Sequence, residues 1–314
     1  MIIEAFKTVF TLVILIGVGY LISQLGWYKK EHKTFLSHLI INVSIPAVVI
    51  KTFFQTFPRE LLFTSGSMVV ISVVSLVITY LMAEVFAKLL KLDRNRRISF
   101  TSLSSLSNCM FIGVPVAQSI YGDESIPYVM IYYVVSVIIL WGFFAPKFNE
   151  ELEEGTSKFQ QVLKGLLTIP FVTLIGSIIL ALAGLRMPEM VLTTANYLAG
   201  MSTPLSLIFI GGVIHEVGIK NMRADRSTIF SVIVKFIVAP LSIVLLGKFI
   251  GLSLLAVESF AIVAGMPPMT QLGVISSGLA SEEKYVMTSI ALLTVISLIF
   301  IPIYTIVVPM IYHI

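Results

Sequence analysis

Asn108-Cys109-Met110-Phe111-Ile112-Gly113-Val114-Pro115 lies in the middle of an apolar stretch long enough to cross a bilayer. A proline inside a helix removes a backbone donor and clashes with the preceding turn, at about 3 kcal/mol. In hydrocarbon the freed carbonyls find no water, so such a break persists only where protein or a water-filled cavity surrounds it. Gly265-Met266-Pro267-Pro268-Met269-Thr270-Gln271 repeats the interruption about half a chain later. Two broken helices at matching places in two halves predict a transporter's binding site near the membrane midplane.

The composition agrees with a membrane setting. The 314 residues are 57% hydrophobic and 12% charged, beyond the roughly 45–50% apolar content of soluble domains. Mean hydropathy is +0.99. Cys109 is the one cysteine, which excludes an intrachain disulfide and any cysteine-based metal cage. No metal, cofactor or nucleic-acid partner is expected. His215-Glu216-Val217-Gly218-Ile219 lacks the second histidine of a zinc-protease helix, and Gly247-Lys248 has no surrounding phosphate-loop pattern. No G-x-S-x-G occurs either, so the chain is not read as an enzyme and no catalytic residue is assigned. Ala5 to Leu25 lacks a basic start and a small-residue cleavage site and is read as a retained span.

Apolar runs of about 20 residues fall at 5–25, 34–56, 62–90, 97–121, 126–146, 161–184, 189–214, 227–250, 254–280 and 284–311. With the N-terminus outside, the inner loops carry 15 of the 21 Lys and Arg residues. Lys7, Arg59, Arg186 and Lys248 lie outside, and Lys51 and Lys235 lie within spans. That bias predicts a multi-pass protein of the cell membrane with both termini outside. The loop beginning at Lys147, with Glu150, Glu151, Glu153 and Glu154, divides the runs five and five. Residues 1–146 and 161–314 are therefore read as two five-helix repeats joined by a cytoplasmic linker over 147–160. An odd number of spans per half inverts the second half. Pro46 and Pro204, Tyr128-Val129-Met130 and Tyr285-Val286-Met287, and Asp123-Glu124 and Glu282-Glu283 echo one another at shifts of 157 to 159 residues.

The chemistry of such a crossing follows from helix ends. If Pro115 and Pro268 sit at the first position of a new half-helix, each half presents free N–H groups and about half a positive charge. Two such ends make a site for a carboxylate. Asn108, Thr270 and Gln271 would add donors, and Met110, Phe111, Met266 and Met269 would supply apolar walls. The substrate-binding candidates are Asn108, Cys109, Gly113, Pro115, Pro267, Pro268, Thr270 and Gln271. A structural kink at Pro115 and an interhelical hydrogen bond at Asn108 are the competing readings. Lys51 and Lys235 either carry the coupling proton or substitute for a bound cation, or else snorkel to an interface. Asn42 and Asn196, flanking Pro46 and Pro204, are cavity candidates, and Glu84 is expected to pair with Lys88.

Asn108-x4-Gly113-x-Pro115, Pro46, Ser202-Thr203-Pro204 with Gly211-Gly212, Pro240 and Gly265-Met266-Pro267-Pro268 together resemble the auxin efflux carrier family, whose bacterial members include malate permeases. The resemblance covers nearly the whole chain. It implies an all-α, ten-span, five-plus-five inverted repeat, a homodimer, and a substrate carboxylate held at the crossover of helices 4 and 9. Two departures stand out: the central loop is short, and no acidic sodium ligand occupies a span centre, which leaves proton coupling in view. The function expected is secondary transport of small organic anions, carboxylates such as malate or auxin-like acids. A passive anion channel and a membrane anion sensor are the alternatives.

Overall fold

The computed structural model describes residues 2–56, 59–148, 163, 167–218, 225–276, 279 and 281–313. The first half holds α1 (Ile2–Gln24), α2 (Lys30–Leu39), α3 (Ile45–Lys51), α4 (Arg59–Leu89), α5 (Arg94–Ser105), α6 (Val114–Tyr121), α7 (Ile126–Ile139) and α8 (Ala145–Phe148). The second holds α9 (Ile169–Leu182), α10 (Glu189–Gly200), α11 (Ser202–Val217), α12 (Arg226–Ile233), α13 (Ala239–Ile250), α14 (Leu254–Ala264), α15 (Gln271–Ile275) and α16 (Glu283–His313). Beyond Lys147 and Phe148, the linker expected over 147–160 and its acidic cluster lie outside the described residues.

The chain is all-helical among the described residues. Six helical stretches are long and apolar enough to cross a membrane: Thr34–Gln55, Ser65–Leu89, Asp123–Phe148, Glu189–Glu216, Arg226–Ile250 and Glu283–His313. Shorter apolar helices, Phe10–Gln24, Cys109–Tyr121, Ile169–Leu182 and Leu254–Ala264, fall in the other four apolar runs. Large apolar side chains such as Phe10, Leu21, Phe249 and Ile299 are exposed, as a hydrocarbon solvent permits. Inside the helices, hydroxyls turn back to the carbonyl four residues earlier, as Ser72 does to Met68 and Thr294 to Ile290, so they need no water.

Four of the prolines are accommodated by widening a turn. In four places the residue before a proline donates its N–H five residues back: Ile45 to Ile40, Val114 to Cys109, Ala145 to Leu140 and Ala239 to Val234. Pro46, Pro115, Pro146 and Pro240 follow directly. The proline ring collides with the carbonyl four residues before it, and one π turn moves that carbonyl aside. Where the turn leaves the Phe236 carbonyl near Pro240, the Tyr304 hydroxyl donates to it at 2.8 Å.

Two packing groups emerge. One joins α1 to α11 and α3 to α9 and α10. The other joins α4, α5, α7, α13 and α14, and both α6 and α16 touch each group. In the first group, α1 and α11 come together at Gly19 and Gly211. A methyl at Gly19 would meet the Ile208 carbonyl, and one at Gly211 would meet the backbone of α1. Small residues bring helices this close in membranes.

Ion pairs gather near helix ends. Asp93 caps α5 through the Arg96 N–H at 2.9 Å. Glu84 pairs with Arg97 from the start of α5, its Oε2 accepting from Nε at 2.6 Å. Lys88, the partner expected four residues on, is not the one it takes, because the tertiary neighbour offers a two-nitrogen fork.

Candidate functional site

The first interruption is built by a short extended stretch. The α5 helix stops at Ser105 and Leu106 takes an extended backbone. Asn108 then caps a new helix, its Oδ1 accepting from the Phe111 N–H at 3.1 Å. The helix therefore restarts at Cys109, upstream of Pro115. Pro115 was expected to open the half-helix. Instead it sits on the π turn Cys109–Gly113 inside a helical run that continues to Tyr121. The capping asparagine supplies the start signal, and the widened turn absorbs the proline.

The second interruption follows α14. Gly265 ends that helix, and Pro267 and Pro268 run extended before α15 begins at Gln271. Pro268 thus precedes the new helix and does not open it. The two interruptions meet. Ser107 and Pro268 form an antiparallel bridge, the Asn108 N–H donates to the Pro267 carbonyl at 2.8 Å, and the Ser107 hydroxyl donates to the Ala264 carbonyl at 2.8 Å. Gly265 is required here, because a Cβ would stand 2.5 Å from the Tyr304 ring.

A cavity of about 50 Å³ opens beside this junction, lined by Asn108, Cys109, Met110 and Phe111 from one side and Met269, Thr270 and Gln271 from the other. Ile41, Ile45 and Tyr133 help to close it. Asn108 is 4% exposed, and its Nδ2 has no hydrogen-bond partner among the described residues. A buried donor left unpaired costs about 1–3 kcal/mol, which an acceptor entering the cavity would recover. The helix N-terminus capped by Asn108 favours a negative charge at the same place.

The other sequence candidates are distributed around it. Cys109 lines the cavity but turns its thiol to the Ser107 carbonyl at 3.2 Å. Pro267 and Pro268 hold the junction through backbone pairing. Gly113 and Pro115 are buried in the helix behind Asn108 and do not line the cavity. Lys51 pairs with Asp123 at 2.7 Å, and Gln118 donates to the same carboxylate at 2.6 Å. Asn42 contacts His38 at 3.2 Å and lines a separate groove of about 380 Å³ with Pro46 and Thr194. Asn196 is exposed and lines neither space.

Lys235 is fully buried, and its Nζ donates to Ser107 Oγ at 2.7 Å and to the Ser105 carbonyl at 3.2 Å. Ser105 and Ser107 were missed in the sequence reading. The hydroxyl-rich run Ser99, Thr101, Ser102, Ser104, Ser105, Ser107 was the available signal.

At the start of α5 a second polar cluster forms. Arg96 Nε lies 3.0 Å from Glu282, its Nη1 lies 3.9 Å from Asp225, and its guanidinium stands 3.7 Å over the Tyr285 ring. Ser227 and Tyr285 share a 2.8 Å hydrogen bond. Burial pushes the Glu282 carboxyl above its usual range, against the pull of Arg96. Asp225 is held below its usual range, because Ser227, Thr228 and Arg96 outweigh its burial.

Several membrane-length apolar helices and two interrupted helices joined beside a small cavity, in a chain that is all-helical among the described residues, have the form of a membrane transporter. The family model described as membrane transport protein matches residues 4–305, and the chain belongs to that family, the auxin efflux carriers. An uncharacterized transporter of Methanocaldococcus jannaschii is 24% identical over 298 residues, covering 92% of this chain and 94% of that one. An uncharacterized transporter of Methanothermobacter thermautotrophicus is 24% identical over 311 residues, covering 96% and 97%.

Proposed function

We propose that this protein is a secondary transporter of small organic anions, carboxylates such as malate or auxin-like acids, and that the substrate is held where the two interrupted helices meet. The observation that carries the reading is the buried Nδ2 of Asn108, a residue lining the junction cavity, without a hydrogen-bond partner among the described residues. A carboxylate there would accept from Nδ2 and lie at the N-terminus of the Cys109–Tyr121 run, with Thr270 and Gln271 opposite. Met110, Phe111 and Met269 would exclude water and strengthen those interactions.

The cavity's volume of about 50 Å³ admits a few waters. A dicarboxylate needs it widened, and alternating access supplies that by rocking one packing group against the other. The ten-span, five-plus-five inverted repeat fits this motion, with the two interruptions as corresponding elements. The excess of basic residues in alternate loops supports an orientation with both termini outside the cell membrane.

Reconstitution tests the reading. Purified protein in proteoliposomes should take up labelled malate or indole acetate and exchange it against unlabelled anion. Uptake without counterflow would make the protein a pore. Anion-induced thermal stabilisation without flux would make it a sensor. Wild-type transport retained in full by Asn108→Ala would remove the site.

A further inference from the structure

Lys235 lies in the middle of the apolar stretch Arg226–Ile250, where a charged side chain is costly. Its side chain does not reach an interface, since it is 0% exposed. Among the described residues no carboxylate forms an ion pair with it. Its partners are neutral oxygens: the Ser105 carbonyl and the Ser107 hydroxyl, which passes its own proton to the Ala264 carbonyl.

Those oxygens share an origin. Ser105 is the last residue of α5 and Ala264 the last of α14, so both carbonyls belong to helix C-termini. Each such end carries unsatisfied carbonyls and about half a negative charge. The α5 end meets Lys235 Nζ directly, and the α14 end is linked to it through the Ser107 hydroxyl. In transporters built on discontinuous helices, unwound carbonyls and half-helix C-termini are where a coupling cation is coordinated. Asn108 marks the opposite pole: the helix that starts there presents its positive end to the cavity.

We propose that Lys235 is a cation carried by the chain itself, occupying the place of a monovalent metal ion between the C-termini of α5 and α14. Removing its side chain opens a sodium- or lithium-sized site bounded by the Ser105 carbonyl and by the Ser107 hydroxyl, which the Ala264 carbonyl holds in place. The inference is independent of the substrate. It concerns the charge that holds the two interruptions together and makes no use of what binds at Asn108.

The test is thermal unfolding of the full chain in detergent, in sodium, lithium and choline chloride at matched pH and ionic strength. Wild type should unfold at the same temperature in all three salts. Lys235→Ala should unfold several degrees lower in choline and regain stability in sodium or lithium. Lys235→Met, which fills the space with a thioether, should be destabilised alike in every salt. Lys235→Ala indifferent to the cation, or unfolded in all three salts, would overturn the inference. So would Lys235→Met matching wild type, or a sodium-specific stabilisation of wild type itself.

Discussion

The Asn108 amide and the Pro267 carbonyl are joined at 2.8 Å, so the residue that caps one interrupted helix is bonded to the extended segment of the other. Asn108 has two separable duties. Its Oδ1 caps the helix, and its Nδ2 is buried at the cavity wall without a partner among the described residues. Asn108→Ala should lose about 1 kcal/mol for the cap and also the stabilisation by malate that the proposed function expects. Asn108→Asp keeps a good capping oxygen but replaces the donor with negative charge. Stability near wild type with no anion-induced shift is therefore expected. Unfolding of both variants with and without malate checks the separation.

The Tyr304 hydroxyl satisfies the Phe236 carbonyl beside the π turn at Pro240. Tyr304→Phe leaves that carbonyl without its donor in a buried site, at about 1–3 kcal/mol. Chemical or thermal unfolding of the variant measures the loss, which should exceed that of Tyr312→Phe, whose half-buried hydroxyl bonds the Leu252 carbonyl.

Gly19 and Gly211 allow α1 and α11 to touch through their backbones. Gly211→Ala forces the helices apart and should cost about 1–3 kcal/mol as overpacking. Gly17→Ala, on α1 just before Gly19 and with open space around its Cβ position, should unfold at or slightly above the wild-type temperature.

Asp225 and Glu282 flank Arg96 and respond to acid in opposite senses. The depressed Asp225 carboxyl contributes stability that is present above the ordinary carboxylate range and is lost as pH falls through its folded value. Asp225→Ala should thus be about 1 kcal/mol less stable near neutrality, with the gap closing in acid. Glu282 is raised, so the folded state takes up its proton first and gains stability as pH falls from the raised value to the ordinary one. In Glu282→Gln that gain disappears. Unfolding temperatures of wild type and both variants across mildly acidic pH check the signs.

Much of the scaffold was legible because hydrocarbon imposes a length and an alphabet on each crossing. Six of the ten apolar runs fall on helices long and apolar enough to cross a membrane, and the other four contain shorter apolar helices among the described residues. The location of the junction was legible from Asn108 and the Pro267-Pro268 pair, whereas its construction was not. Pro115 looks like a helix start in sequence, but a π turn absorbs it, and nothing local distinguishes a widened turn from a break. Lys235 was visible as an intramembrane cation. Its partners Ser105 and Ser107 lie 130 and 128 residues away, a distance that only the fold closes. Asn196 reads as a cavity residue beside Pro204, yet it faces outward, because the proline alone does not set which face of α10 turns in.

The four widened turns carry a consequence for how this chain tolerates change in length. Each holds one residue more than an ordinary α-helical ladder needs, so losing a residue there lets the hydrogen bonds close again. The segment beyond would then rotate by about 100°. Insertions and deletions elsewhere belong in loops. Here, single-residue gaps between relatives are expected inside helices, just before Pro46, Pro115, Pro146 and Pro240, with the downstream faces re-matched to their new neighbours.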